Sequence, residues 1–164
     1  ASVPDVMNEV QIVSLEIERM PKSPQRESSD MFNLPYHSVC TTSTHDMTPL
    51  RNWWKEDPEK TQRYYNHVLQ RIGEAPDECT AEIVAQIISN HLKTRSMLTI
   101  IPLQDWFAMD DSIKRKDIES ERINVPANST HYWPYRMHIT LEQLLQADNL
   151  NNKIVSLIKE AGRK

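Results

Sequence analysis

His45 and Asp46 are adjacent, they end the β-branched run Ser38-Val39-Cys40-Thr41-Thr42-Ser43-Thr44, and they are followed by Pro49 and Trp53-Trp54. A parallel strand buried on both faces is built from such residues, and in α/β barrels the side chains just past its C-terminal end carry the chemistry. Asp46 is therefore the first candidate for a catalytic carboxylate, with His45 beside it. The rival reading is a strand-end cap and a satisfied surface pair. Asn124, in Arg122-Ile123-Asn124-Val125-Pro126, can hydrogen-bond a polar substrate or, lying before a turn, cap its own backbone. Asp105, in Gln104-Asp105, reads as a structural acid that steadies a loop by pairing with Arg122. Trp53 and Trp54 cannot both face one ligand from a helix or turn, so at least one belongs to the core. His131 and His138 lack a third ligand at sensible spacing, which argues against zinc.

These side chains need elements to position them. Residues 10–17 are apolar and β-branched and are closed by Pro21, which makes a first strand. Residues 22–35 are polar and hold Pro24 and Pro35, a loop long enough for a parallel crossover. A second strand covers 36–44. Asp57-Pro58-Glu59 and Gly73 bracket a helix over 57–72, with Tyr64, Tyr65, Val68, Leu69 and Ile72 as its apolar stripe. A further helix runs from about 79 or 80 to 93, and a third strand over 97–102. The segment 103–137 has no sustained period and carries Trp106, Tyr132, Trp133 and Tyr135; loops of that length are usually functional. Thr140 and Gln143 form a capping box, and Leu150, Ile154, Leu157 and Ile158 stripe a last helix that stops at Gly162.

The order of strand, loop, strand, two helices, strand, long loop and two helices describes part of a parallel α/β sheet. Formal charge is −4 with both signs interspersed, which leaves no footprint for nucleic acid or an anionic membrane, and no apolar run approaches the length of a membrane span. Cys40 and Cys79 read as buried free thiols of a reducing compartment. The chain opens Ala1-Ser2-Val3-Pro4 without an initiator Met, and reads as a piece of something longer.

Three motifs in order, Ser43-Thr44-His45-Asp46 before Trp53-Trp54, Ile101-Pro102-Leu103-Gln104-Asp105, and Arg122-Ile123-Asn124-Val125-Pro126, resemble the C-terminal part of the 4-α-glucanotransferases, the amylomaltase or disproportionating-enzyme family. The resemblance runs from about Met7 to Gly162. It implies one C-terminal fragment, residues 1–164, of a (β/α)₈ barrel of the α-amylase superfamily, supplying strands six, seven and eight. It implies a cytoplasmic enzyme without metal or organic cofactor, acting on α-1,4-glucans or maltooligosaccharides. The nucleophilic Asp and the acid/base Glu of the family would precede Ala1. Asp46 matches the third carboxylate, which holds sugar hydroxyls at the cleavage point; His45, Asn124, Glu18 and Trp54 are the expected sugar contacts. The surroundings of Glu18 depart from the amylomaltase pattern.

A rival from another class is a stand-alone, non-catalytic α-glucan-binding module; a helical regulatory domain suits the aromatic loop and apolar strands poorly. Three strands cut from a closed barrel would bare two edges and an apolar inner face, so the fragment is expected to self-associate.

Overall fold

In the computed structural model, which describes residues 2–163, three parallel strands lie in the order β1 (Ser14–Ile17), β2 (Ser38–Thr41) and β3 (Leu98–Thr99). Ala1 and Lys164, the bounds of the predicted domain, lie outside the described residues. The register pairs Leu15 with Val39 and Val39 with Leu98, and on the opposite face Glu16 with Cys40 and Cys40 with Thr99. This second face is covered: the Cys40 thiol is wholly buried, 3.5 Å from the His91 carbonyl and 3.3 Å from Thr94 Oγ1. The first face is not, and Leu15, Leu98 and Ile100 are about half exposed.

All three strands are shorter than the sequence predicts. Residues 42 and 43 leave the sheet with their carbonyls claimed by side chains: Thr41 Oγ1 donates to Ser43 O and Arg19 Nε to Thr42 O. At the other end, α1 (Val3–Glu9) precedes β1 where the sequence predicts a strand from residue 10. Gln11, at φ +58°, closes this helix: Gln11 N donates to Asn8 O and Ile12 N to Met7 O, the paired bonds of a left-handed helix cap usually given to glycine.

Between β2 and β3 the chain forms α2 (Leu50–Glu56), α3 (Pro58–His67) and α4 (Ala81–Leu92). Asp57 caps α3 by accepting from Lys60 N, as its position before Pro58 requires, but α3 ends five residues before the predicted Ile72. Gln70 turns left-handed at φ +54°, Asn66 Nδ2 ties back to Arg71 O, and Ile72 is 97% exposed instead of completing the stripe. Thr80 caps α4 through Ile83 N, and Ile83, Val84, Ile87, Ile88 and Leu92 are buried on its apolar face. After β3, the predicted loop contains α5 (Leu103–Phe107) and a single 3₁₀ turn at Glu119–Glu121. Thr140 and Gln143 form the expected capping box before α6 (Leu141–Leu145). The last helix, α7 (Asp148–Glu160), stops at Gly162, φ +68°, with Arg163 N bonded to Ile158 O. Arg163 then donates to Leu92 O, Thr94 O and Ser96 O, fastening α7 to the end of α4.

The main core gathers Leu50, Trp53, Trp54, Tyr64, the α4 stripe, Phe107 and Leu150; a small second one holds Met31, Leu34 and Cys40 under the β1–β2 loop. Both cysteines are free and buried, and burial pushes the Cys79 thiol up. Among the described residues no helix is long and apolar enough to cross a membrane, and no group of three or more His, Cys, Asp or Glu side chains could hold a metal ion.

Candidate functional site

The loop between β2 and α2 carries His45 and Asp46 at its tip, and a buried polar layer holds its base. Arg19, one residue past the acid that follows β1, is only 6% exposed; its Nε donates to Thr42 O at 3.1 Å and its Nη2 to Thr48 O at 2.8 Å. One guanidinium thus grips both feet of the loop. It lies over the Trp53 ring, 5.0 Å from the centroid, a stacking that suits a planar cation out of water. Asp105, 1% exposed, accepts from Thr42 Oγ1 at 2.6 Å and from Leu50 N at 2.9 Å, so it anchors the start of the loop and caps α2 at once. Burial raises the Asp105 carboxyl against those two bonds and against the nearby charge of Arg19, while burial lowers Arg19. The structural role predicted for Asp105 holds, but its partners are Thr42 and Leu50; Arg122 instead donates to Asn124 O at 3.0 Å.

Glu18 also belongs to the buried layer. It is 2% exposed, accepts from Tyr64 Oη at 2.6 Å, and lies 4.0 Å from His91 Nε2. Burial and the adjacent Glu18 carboxylate raise the Tyr64 hydroxyl far above its ordinary value. Trp54 is 2% exposed; its indole N–H donates to Pro76 O, and its ring meets Trp53 and Tyr64 edge to face. These two predicted sugar contacts have almost no surface to offer in this chain, because packing turns them inward.

The other three predicted residues come together at the surface. Asn124 Nδ2 donates to Asp46 Oδ1 at 2.6 Å, Asn124 N donates to His45 O at 3.2 Å, and His45 Nε2 lies 3.5 Å from Asp46 Oδ2. Asn124 is thus stitched by its side chain to Asp46, 78 positions away, and by its backbone to His45. The His45 and Asp46 side chains remain about half exposed. Trp133 stacks on the His45 ring, centroids 4.9 Å apart and planes tilted by 39°, and keeps 53% of its surface open. Sequence reasoning singled out its loop as aromatic but did not select this residue; without a period in residues 103–137, nothing local says which ring reaches the site.

Chemically, the cluster offers a carboxylate with one oxygen fixed by an amide, an imidazole and an indole face. Such a set accepts hydrogen bonds from a pair of hydroxyls and stacks a flat apolar surface, which together recognise a sugar ring. It contains one carboxylate, not a pair.

Comparison with known proteins identifies the setting. A family model for 4-alpha-glucanotransferase matches residues 1–142. The chain is 37% identical over 163 residues to the 4-alpha-glucanotransferase DPE2 of Oryza sativa subsp. japonica, covering 99% of this chain and 17% of that protein. With the 4-alpha-glucanotransferase of Chlamydia trachomatis it shares 31% over 123 residues, covering 73% of this chain and 22% of the relative. Among solved structures, the amylomaltase of Streptococcus agalactiae in complex with acarbose superposes with a TM-score of 0.72 at 16% identity, over 98% of this chain and 29% of the amylomaltase. The Corynebacterium glutamicum amylomaltase gives 0.66 at 16%, over 95% and 27%. These likenesses establish that the fold is that of a portion of an amylomaltase. The chain thus spans less than a third of the length of each of these proteins, and it belongs to the 4-alpha-glucanotransferase family.

Proposed function

We propose that this chain is the part of a 4-α-glucanotransferase that grips the sugar at the cleavage point, and that the enzyme transfers α-1,4-glucan segments between maltooligosaccharides by a retaining double displacement. The observation that carries the reading is the 2.6 Å bond from Asn124 to Asp46, which joins two of the three sequence motifs in one exposed cluster beyond the parallel strands. In this reading β1, β2 and β3 are strands six, seven and eight of the barrel, and Asp46 stands beyond strand seven. Asp46 accepts hydrogen bonds from two neighbouring hydroxyls of the sugar, bonds that strengthen as oxocarbenium character develops at its anomeric carbon. His45 and Asn124 bind the same sugar, and Glu18 and Trp54 support them from beneath.

Retaining chemistry needs a nucleophile and an acid/base about 5 to 5.5 Å apart, and in this proposal both lie in sequence outside the chain. Transfer differs from hydrolysis only in the second half, where the 4-OH of another glucan replaces water. The exposed face of Trp133 supplies an acceptor surface that water cannot use. The compartment proposed is the cytoplasm.

The test is direct. The chain alone, free of host glucanotransferase, is expected to release no glucose from maltotriose above a buffer blank, while the full-length protein containing it does. Turnover by the isolated chain would sink the division of labour proposed here.

A further inference from the structure

Arg19 uses two of its three nitrogens on the feet of the His45–Asp46 loop. The third, Nη1, is buried without a hydrogen-bond partner, on a residue only 6% exposed. A buried, unpaired guanidinium N–H costs free energy unless something accepts from it. Asp105, Glu56 and Glu18 balance the charge from nearby, yet Glu18 is engaged with Tyr64, Glu56 with Thr48 and Asp105 with Thr42 and Leu50.

Arg19 lines a cavity of about 230 Å³ between the β1–β2 loop and α3, whose wall also includes Lys60, Arg63, His67, Ser28 and Trp53. Glu27 is the acid on the wall, and it is held by Arg63 with both oxygens 3.0 Å from Nε. That pair is roughly half exposed on both sides and so is easily exchanged. Counting Arg19, Lys60 and Arg63 against Glu27, the wall carries a surplus of two positive charges.

We propose that this cavity binds a phosphate group, whose oxygens accept from Lys60, Arg63 and Ser28 beside the buried charge of Arg19. A dianion with several acceptor oxygens matches converging guanidinium, ammonium and hydroxyl donors better than a single carboxylate does. The volume leaves room beyond the phosphate itself, so the occupant is inorganic phosphate or a phosphorylated sugar. Binding there sets a dianion against the same guanidinium that holds Thr42 and Thr48, and so stiffens the loop that presents Asp46. This last consequence rests on the glucanotransferase reading; the binding itself does not.

Isothermal titration calorimetry of the full-length protein, at constant ionic strength, uses inorganic phosphate, glucose 6-phosphate and glucose as probes. Saturable binding of a phosphate compound is expected, weakened about tenfold or more by Lys60→Glu and by Arg63→Ala, with glucose silent. Tighter binding of glucose 6-phosphate identifies a phosphorylated sugar as the occupant, and equal binding identifies the phosphate group alone. Absence of saturable heat, equal response to chloride, or indifference to both substitutions overturns the site. Both substitutions are at the surface of α3, and an unchanged melting temperature certifies that the variants fold. A second readout separates the two proposals: phosphate is expected to change kcat of the wild type and not of Lys60→Glu. Loss of this effect with binding intact removes only the coupling to Asp46, whereas a full-length protein that never transfers glucan removes the function and leaves the phosphate site standing.

Discussion

Asp46 stands at the tip of the β2–α2 loop and Asp105 holds the base of the same loop, and their surroundings are opposites. Asp105 is 1% exposed and saturated by the Thr42 hydroxyl and the Leu50 amide beside Arg19; Asp46 is half exposed, with one oxygen on Asn124 and the other 3.5 Å from His45. A carboxylate whose bonds are all internal fixes geometry and has nothing left for a ligand. One held by a single amide is oriented and still free to accept. Here the division extends to whole layers: Arg19, Glu18, Tyr64 and Asp105 below, His45, Asp46, Asn124 and Trp133 above.

Substituting the two aspartates should separate the layers most sharply. In the full-length protein, Asp46→Asn is expected to lower kcat by several orders of magnitude while shifting unfolding by less than about 0.5 kcal/mol, because the amide keeps a carbonyl for Asn124 and loses the charge that the proposed function uses mainly in the transition state. Asp105→Ala should do the reverse, costing about 3–5 kcal/mol by stranding Thr42, Leu50 N and the buried charge of Arg19. Urea melts and single-turnover kinetics on both variants decide it. An Asp46→Asn enzyme retaining more than about a tenth of kcat, or an Asp105→Ala enzyme of normal stability, would break the comparison.

The sheet repeats the contrast on a larger scale. Its Cys40 face is packed, and its Leu15–Val39–Leu98 face is about half open. At roughly 25 cal/mol per Å², a few hundred Å² of apolar surface is comparable to the stability of a small domain. The isolated chain is therefore expected to self-associate through this face. Multi-angle light scattering at micromolar concentration should give a multiple of the monomer mass, and Leu98→Lys should reduce it to one; a monomeric wild type refutes the idea.

Glu121 lies between the two extremes. It is 2% exposed and bonded to Arg51 at 2.8 Å, but its Oε2 has no partner, and burial pushes it up from 4.5 to about 7. The native state thus holds a proton that the unfolded chain releases near 4.5. Its contribution to stability is complete below that value and is lost as pH rises toward about 7. Urea midpoints at acidic and neutral pH should show the wild type losing stability over this window relative to Glu121→Gln. Parallel pH profiles for the two would assign Glu121 to the unshifted acids.

How much of this is legible in the sequence depends on where each determinant lies along the chain. Thr140 with Gln143, Asp57 before Pro58 and Gly162 after α7 act within a few residues, and each sets the predicted boundary. The start of α2 rests on Asp105, 55 residues downstream, and the early end of β2 rests on Arg19, 23 residues upstream. No local window contains either. His45, Asp46 and Asn124 were singled out by their motifs, and the fold brings the three together. Glu18 and Trp54 were expected to face sugar because of the family resemblance; that Tyr64 would take the carboxylate and Pro76 the indole is a fact of packing.

Trp133 offers the finest discrimination between the layers, because it belongs to the upper one by contact alone. It touches His45 ring to ring and exposes more than half of its surface, so it contributes little to the core. If it is an acceptor platform, Trp133→Ala should leave folding unchanged and act on the second half of the reaction. Loss of one stacking contact of about 1 kcal/mol corresponds to roughly a fivefold rise in KM for an acceptor sugar, with single-turnover formation of the glycosyl-enzyme unaltered. Phe at this position should recover much of the loss, since the ring face is what matters. Should Trp133→Ala instead slow glycosyl-enzyme formation as much as acceptor use, the ring would be a positioning partner of His45, and the upper layer would need its own internal scaffold just as the lower one does.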